Sequence, residues 1–220
     1  MLLELLGCAF IAVSVWLILS RKQLKINVLQ SLLLACVHVL IGSLGAKMLG
    51  WIESGLFGSP LKAPLRLFGS VAVMPLMYYL VAKWKSAPIR SVMDCAAIAT
   101  MLGLAAGRFL CIVQGCCDGV PIPEVEEYNW PIRELEIVYY LVMIVLFCNK
   151  TILNKGNGYV YPLLMTTYGV FRFVIEWVRA EFSFRIGPLH IGHIWSIICV
   201  LIGIDFYIYL AKKGKKERGL

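Results

Sequence analysis

Seven runs of mostly apolar residues follow one another along the chain, at 2–20, 27–51, 66–83, 92–113, 134–149, 158–178 and 191–211. A helix needs about 20 such residues to cross the hydrocarbon core of a bilayer. The pattern therefore predicts an all-α polytopic membrane protein of about seven transmembrane helices, with residues 1–211 as one transmembrane domain and 212–220 as a basic tail. Composition points the same way: 60% of the residues are apolar and the mean hydropathy is +0.80, where soluble domains are about half apolar. The net charge of +8 does not indicate nucleic acid, because the basic residues fall in short clusters between apolar runs and not along one face.

Those clusters set an expected orientation. Arg21, Lys22 and Lys25 follow the first run, Lys83, Lys85 and Arg90 the third, and Lys150 and Lys155 the fifth; Lys212, Lys213, Lys215, Lys216 and Arg218 form the tail. These 13 residues share one side, against five (Lys62, Arg66, Arg133, Arg179, Arg185) on the other. The positive-inside rule puts the C-terminus in the cytoplasm and the N-terminus outside. Asp118, Glu124, Glu126 and Glu127 fall in an outer loop, which fits but carries little weight in that rule. The first run lacks a basic leading segment and a small-residue cleavage site and carries Glu4, so it is read as a retained helix.

Lys47, Arg108 and Arg172 remain inside apolar runs. A basic group at a helix centre costs about 2.5 to 3.5 kcal/mol on insertion scales, so it faces a protein interior or a wet cavity. Lys47 lies near a helix end, where snorkelling and a functional role both stand. Arg108 follows Gly107, and Arg172 has Glu176 one turn on, so an internal ion pair is the alternative to function.

Two segments concentrate the polar groups. GRFLCIVQGCCDGVPIP (107–123) begins in a helix and runs into a Gly and Pro loop, where Gly107, Gly115 and Gly119 are expected to allow close backbone approach or positive φ around a ligand. YGVFRFVIEWVRAE (168–181) places Tyr168, Arg172, Glu176 and Arg179 as one stripe on a helix, which must face the bundle interior or a water-filled cavity.

On these segments the chain resembles the prolipoprotein diacylglyceryl transferase family, bacterial membrane enzymes that move a diacylglyceryl group from phosphatidylglycerol to the lipobox cysteine of a lipoprotein precursor. The family signature, approximately G-R-x-G-N-F-x-N-x-E-x-x-G, faces G-R-F-L-C-I-V-Q-G-C-C-D-G from Gly107 to Gly119; Y-G-x-x-R-F-x-x-E-x-x-R is met by Tyr168, Gly169, Arg172, Phe173, Glu176 and Arg179. LGAKMLGW (44–51) resembles the family's glycine-arginine segment with Lys47 for arginine, FGS (68–70) stands at H-G-G, PIRELE (131–136) at P-S-Q-L-Y-E with Glu136 on the glutamate, and IGHIWSI (191–197) at G-Q-I-x-S. Departures are equally specific: Phe68 stands at the family histidine, Cys111 and Gln114 at the signature asparagines, and Cys116 at its glutamate.

The resemblance implies a multi-pass protein of the bacterial cell membrane with its site near the outer leaflet, and Arg108 and Arg172 as a clamp on the phosphate of an anionic phospholipid. Tyr168 would orient the head group, Glu136 and Glu176 would position the arginines or accept a proton, and Arg179, Gln114, Gly115, Gly119 and Lys47 complete the substrate-binding set. The implied partners are phosphatidylglycerol and a lipobox-containing precursor or another thiol acceptor. With Phe68 unable to take a proton, Glu136, Asp118 or His193 is the candidate base, while His38 lies mid-span and His190 near the surface. Cys116 and Cys117 admit three readings: inert small residues, a redox or lipid-accepting thiol pair, or metal ligands with a histidine. A vicinal pair lacks the C-x-x-C spacing of zinc and thioredoxin sites, so no metal or cofactor is expected. A Cys116 thiol beside Arg108 is expected to have a lowered pKa and to take part in chemistry. The alternative to a transferase is a noncatalytic relative that binds anionic lipid or a lipidated partner.

Overall fold

A computed structural model describes residues 2–123, 125–148, 158–180 and 185–217. Lys150, Lys155, Glu124 and Arg218 lie outside the described residues, as do the side chains of Glu4, Glu126, Glu127, Arg185, Lys213, Lys215 and Lys216. The chain runs through α1 (Leu2–Leu19), a four-residue α2 (Arg21–Leu24), α3 (Val28–Glu53), a 3-10 turn (Pro60–Lys62), α4 (Leu67–Trp84) and α5 (Ile89–Val113). After the hairpin β1 (Pro121–Ile122) and β2 (Val125–Asn129) come α6 (Ile132–Phe147), α7 (Val160–Ile175) with a 3-10 turn (Glu176–Val178), the hairpin β3 (Arg185–Ile186) and β4 (Leu189–His190), and α8 (Ile191–Glu217). Each of the seven apolar runs is a helix; the hairpins and α2 are additions that apolar periodicity does not report.

Among the described residues, four helices are long and apolar enough to cross a membrane: Val28–Glu53, Leu67–Trp84, Ile89–Val113 and Ile191–Lys212. α6 and α7, at 16 residues each, rise about 24 Å, short of a hydrocarbon core of about 30 Å. The outward faces are apolar, with Leu33 and Leu40 on α3, Val145 on α6, Val174 on α7 and Leu201 on α8 exposed, as suits contact with lipid tails. α8 continues past residue 211 to Glu217, so no structural break separates the expected domain from the first part of the tail.

α5 is the centre of the bundle. Residues 92–101 are buried without interruption, and the small side chains of Ala96, Ala97 and Ala99 let neighbouring backbones approach. α1, α4, α6 and α7 pack around it. Local chemistry fixes the helix starts. Asn27 and Gln30 form a reciprocal capping box at α3. Buried Asp94 on α5 accepts from the backbone N–H groups of Gly158 and Val160, both at 3.0 Å, and so satisfies donors at the start of α7.

Candidate functional site

Glu136 on α6 has no solvent exposure, and three guanidiniums meet its carboxylate. Oε1 accepts from Arg172 Nη1 at 2.6 Å and from Arg179 Nη1 at 3.2 Å, and Oε2 pairs with Arg108 Nε. Glu176 closes the group: its Oε2 lies 3.1 Å from Arg172 Nη2 and 3.7 Å from Arg179 Nε. Arg172, Arg179 and Glu176 are buried, while the Arg108 side chain is 16% exposed and is the cation of the three that solvent reaches best. Arg108 and Arg172 are therefore not a clamp of two free cations. Each is anchored to one buried carboxylate, and the Arg172–Glu176 pair expected as the alternative to function forms as well.

The elements deliver these groups to one end of the bundle. Arg108 comes from the last turns of α5, Glu136 from the first turns of α6 and Arg172 from the last turn of α7. α7 stops at Ile175, so Tyr168, Arg172, Glu176 and Arg179 do not share one α-helical stripe: Glu176 opens a 3-10 turn and Arg179 is extended. That departure carries Arg179 into an antiparallel bridge with Gly119. Val120 N–H donates to Val178 at 2.8 Å and Gly119 N–H to Trp130 at 3.1 Å, so the loop after α5 is stitched on both sides. A side chain at 119 would lie 2.5 Å from the Trp130 carbonyl oxygen and 2.9 Å from that of Val178. Gly192 is required in the same sense, because the Glu176 carboxylate fills the place of its missing Cβ in the first turn of α8, where the helix dipole favours an anion.

An aromatic wall lines the cluster. Phe68 packs on Tyr168 with ring centres 5.9 Å apart and stacks on Trp195 at 6.4 Å, and Tyr168 lies between Tyr139 and Tyr140. The buried hydroxyls of Tyr140 and Tyr168 have no hydrogen-bond partner among the described residues, and both residues line a cavity of about 20 Å³. That is room for a water molecule.

The other expected site residues are placed differently. Lys47 Nζ donates to the Ala63 carbonyl at 2.6 Å, in the segment before α4. His193 is fully buried, and its Nδ1 accepts the His190 N–H at 3.1 Å. With Nδ1 accepting, the proton of the neutral ring lies on Nε2, which has no hydrogen-bond partner among the described residues. His38 Nδ1 is bonded to the Tyr78 hydroxyl at 2.8 Å within the core. Asp118 is 2.5 Å from Arg133 and is not a free base. Gln114 caps α5, and Gly115 has φ +62° as the chain reverses. A Cβ at Gly107 would meet nothing within 4 Å, so no close approach requires that glycine. Burial holds the Cys116 thiol above its ordinary pKa, and the opposing pull of Arg108 is weaker, which reverses the expected activation. Cys117 is held up too, through its hydrogen bond with the Cys111 thiol and through burial.

A sequence model of the family described as prolipoprotein diacylglyceryl transferase matches residues 64–209, a stretch that contains every member of the arginine–glutamate cluster. The chain belongs to this family. It is similar to the phosphatidylglycerol–prolipoprotein diacylglyceryl transferases of Dehalococcoides mccartyi, at 23% identity over 175 residues (69% of this chain, 64% of the relative), and Finegoldia magna, at 24% over 159 residues (68% and 62%). The protein of that name in Clostridium tetani is 24% identical over 206 residues, 84% of this chain and 81% of the relative. The matches to the first two cover less than two thirds of those relatives' length.

Against the family pattern, the arginines and glutamates that meet in space come from three matched segments, Arg108 from 107–119, Glu136 from 131–136 and Arg172, Glu176 and Arg179 from 168–179, while Phe68 at the histidine position is an apolar wall. Sequence reasoning missed a neighbouring polar group. Glu53 at the end of α3 lies 2.8 Å from Arg66 and accepts the Trp195 indole N–H at 2.8 Å. Its signal was a glutamate at the end of an apolar run, facing a basic residue at the start of the next. Asp94 was missed as well, although an acid inside an apolar run is as costly as a base.

Proposed function

We propose that this protein is a phospholipid-dependent transferase that moves a diacylglyceryl group from phosphatidylglycerol to a cysteine thiol of a lipoprotein precursor or a related acceptor. One observation carries the reading: the guanidiniums of Arg108, Arg172 and Arg179 converge with Glu136 and Glu176 at one end of an apolar bundle, where charged side chains are costly outside a functional site. A phosphodiester is an anion that guanidiniums bind by charge-assisted, bidentate hydrogen bonds. Arg172 Nε, a buried donor without a hydrogen-bond partner among the described residues, and the part-exposed Arg108 supply contacts for it. In the reaction the acceptor thiol loses its proton, its sulfur bonds to the glyceryl carbon, the carbon–oxygen bond to phosphate breaks, and glycerol phosphate departs. Negative charge grows on that leaving group, so cations already fixed by Glu136 and Glu176 bind the transition state more strongly than the lipid.

Seven spans with the N-terminus outside would put the cluster, at the end where α5 leaves and α6 enters, towards the outer leaflet of a bacterial cell membrane, since the order of the apolar runs assigns 13 basic residues to the other side against five to this one. Phe68 favours a second reading, a noncatalytic relative that binds anionic lipid. Purified protein incubated with labelled phosphatidylglycerol and a lipobox peptide separates the two. Product formation that is lost in Arg108→Ala supports the transferase; lipid binding without product supports the second reading.

A further inference from the structure

The loop that stitches the site together also gathers three thiols that the transferase reading does not use. Cys111 lies buried in the last turn of α5. The chain reverses at Gly115, and Cys116 N–H returns to the Cys111 carbonyl at 3.1 Å. Cys117 then adopts φ +64°, a left-handed conformation that a residue with a Cβ rarely takes. The outcome is that the sulfurs of Cys111, Cys116 and Cys117 all lie within 4.8 Å of one another.

We propose that Cys111, Cys116 and Cys117 form a three-thiolate site for a thiophilic cation such as Zn²⁺, tying the loop after α5 to the end of that helix. Zinc–sulfur bonds of about 2.3 Å hold tetrahedral ligands about 3.8 Å apart, so small side-chain shifts close the site and leave a fourth position for water. The backbone is preorganised without the metal. Arg133 donates to the carbonyls of Cys111 and Cys116, at 3.4 and 3.2 Å, and pairs with Asp118, gripping the loop on both sides of Cys117. Three thiolates around a divalent ion carry one net negative charge. Thiolates select soft ions over Mg²⁺ and Ca²⁺. The left-handed Cys117 has a reason on this account: without that turn its sulfur would not return to Cys111. The third ligand is a residue further back on the helix, which the vicinal pair alone does not announce.

The test uses the full chain in detergent, reduced and stripped of metal without air. Zn²⁺ titrated against a chromophoric chelator is expected to saturate at one ion per chain, and Cd²⁺ to give thiolate charge-transfer absorption. Cys111→Ser, Cys116→Ser and Cys117→Ser each weaken binding by at least about tenfold, while Cys8→Ser with Cys36→Ser, at exposed positions on α1 and α3, leaves it unchanged. In the wild type, Zn²⁺ protects the three cysteines from alkylation and Mg²⁺ does not, a readout that does not depend on any variant folding. Absence of saturable binding, equal affinity in folded variants of the three, or protection that does not discriminate between the two ions overturns the proposal.

Discussion

Gly119 and Arg179, 60 residues apart in sequence, pair as an antiparallel bridge that holds the Arg179 backbone beside the loop after α5 while its guanidinium bonds to Glu136. Because a Cβ at 119 would run into the Trp130 and Val178 carbonyls, Gly119→Ala is expected to cost about 1 to 3 kcal/mol and to lower transfer. Gly107→Ala, with open space around it, is expected to be neutral or slightly stabilising, since alanine is the better helix former by about 0.5 to 1 kcal/mol. Thermal unfolding of both variants in detergent checks the contrast; equal midpoints would remove the bridge from the account of the site.

Glu136→Gln removes the carboxylate on which Arg108, Arg172 and Arg179 converge. Breaking a buried pair on one side costs about 3 to 5 kcal/mol. Glu136→Gln combined with Arg179→Gln should recover part of that loss, because one of the cations that shared the carboxylate goes too. A double-mutant cycle by denaturant unfolding measures the coupling; additive effects would mean that the two residues do not share the interaction seen here.

The helices were legible because bilayer-length apolar runs are a strong signal: 27–51 became Val28–Glu53, and 191–211 became the start of Ile191–Glu217. The matched segments also named Arg108, Glu136, Arg172, Glu176 and Arg179. What periodicity could not give was their pairing. Continuing the α7 stripe to Arg179 assumed an unbroken helix, whereas the chain turns at Glu176 because the bridge to Gly119 offers the backbone other partners. Glu136 looked like one more polar residue near a helix start, and its role as the shared anion depends on three other elements. Likewise Cys111 joins Cys116 and Cys117 only through the left-handed turn between them.

Asp94→Asn keeps the size of the side chain but weakens its two bonds to the Gly158 and Val160 N–H groups. Bonds to a charged acceptor contribute about 1.5 to 3 kcal/mol, so a loss of that order is expected. The residue fastens α5 to the start of α7, far along both helices from Arg108 and Arg172. Transfer measured below the unfolding range should therefore stay near that of the wild type; a large loss of activity with unchanged stability would show that Asp94 acts on the site.

Phe68→His puts an ionisable ring where the family pattern has histidine. The position is buried against Tyr168 and Trp195, and the Tyr168 hydroxyl lacks a hydrogen-bond partner, so an imidazole here gains a neighbour for one ring nitrogen and keeps the other for the incoming thiol. Positioned bases contribute about 10² to 10⁴ in rate. The expected outcome is a rise in transfer of at least about tenfold, with a modest drop in the unfolding midpoint from the poorer packing of the smaller ring. The gain should vanish in Phe68→His combined with Arg108→Ala, because a better nucleophile cannot replace the cation that holds the departing phosphate. A folded Phe68→His protein with unchanged activity would place the proton acceptor at some other residue.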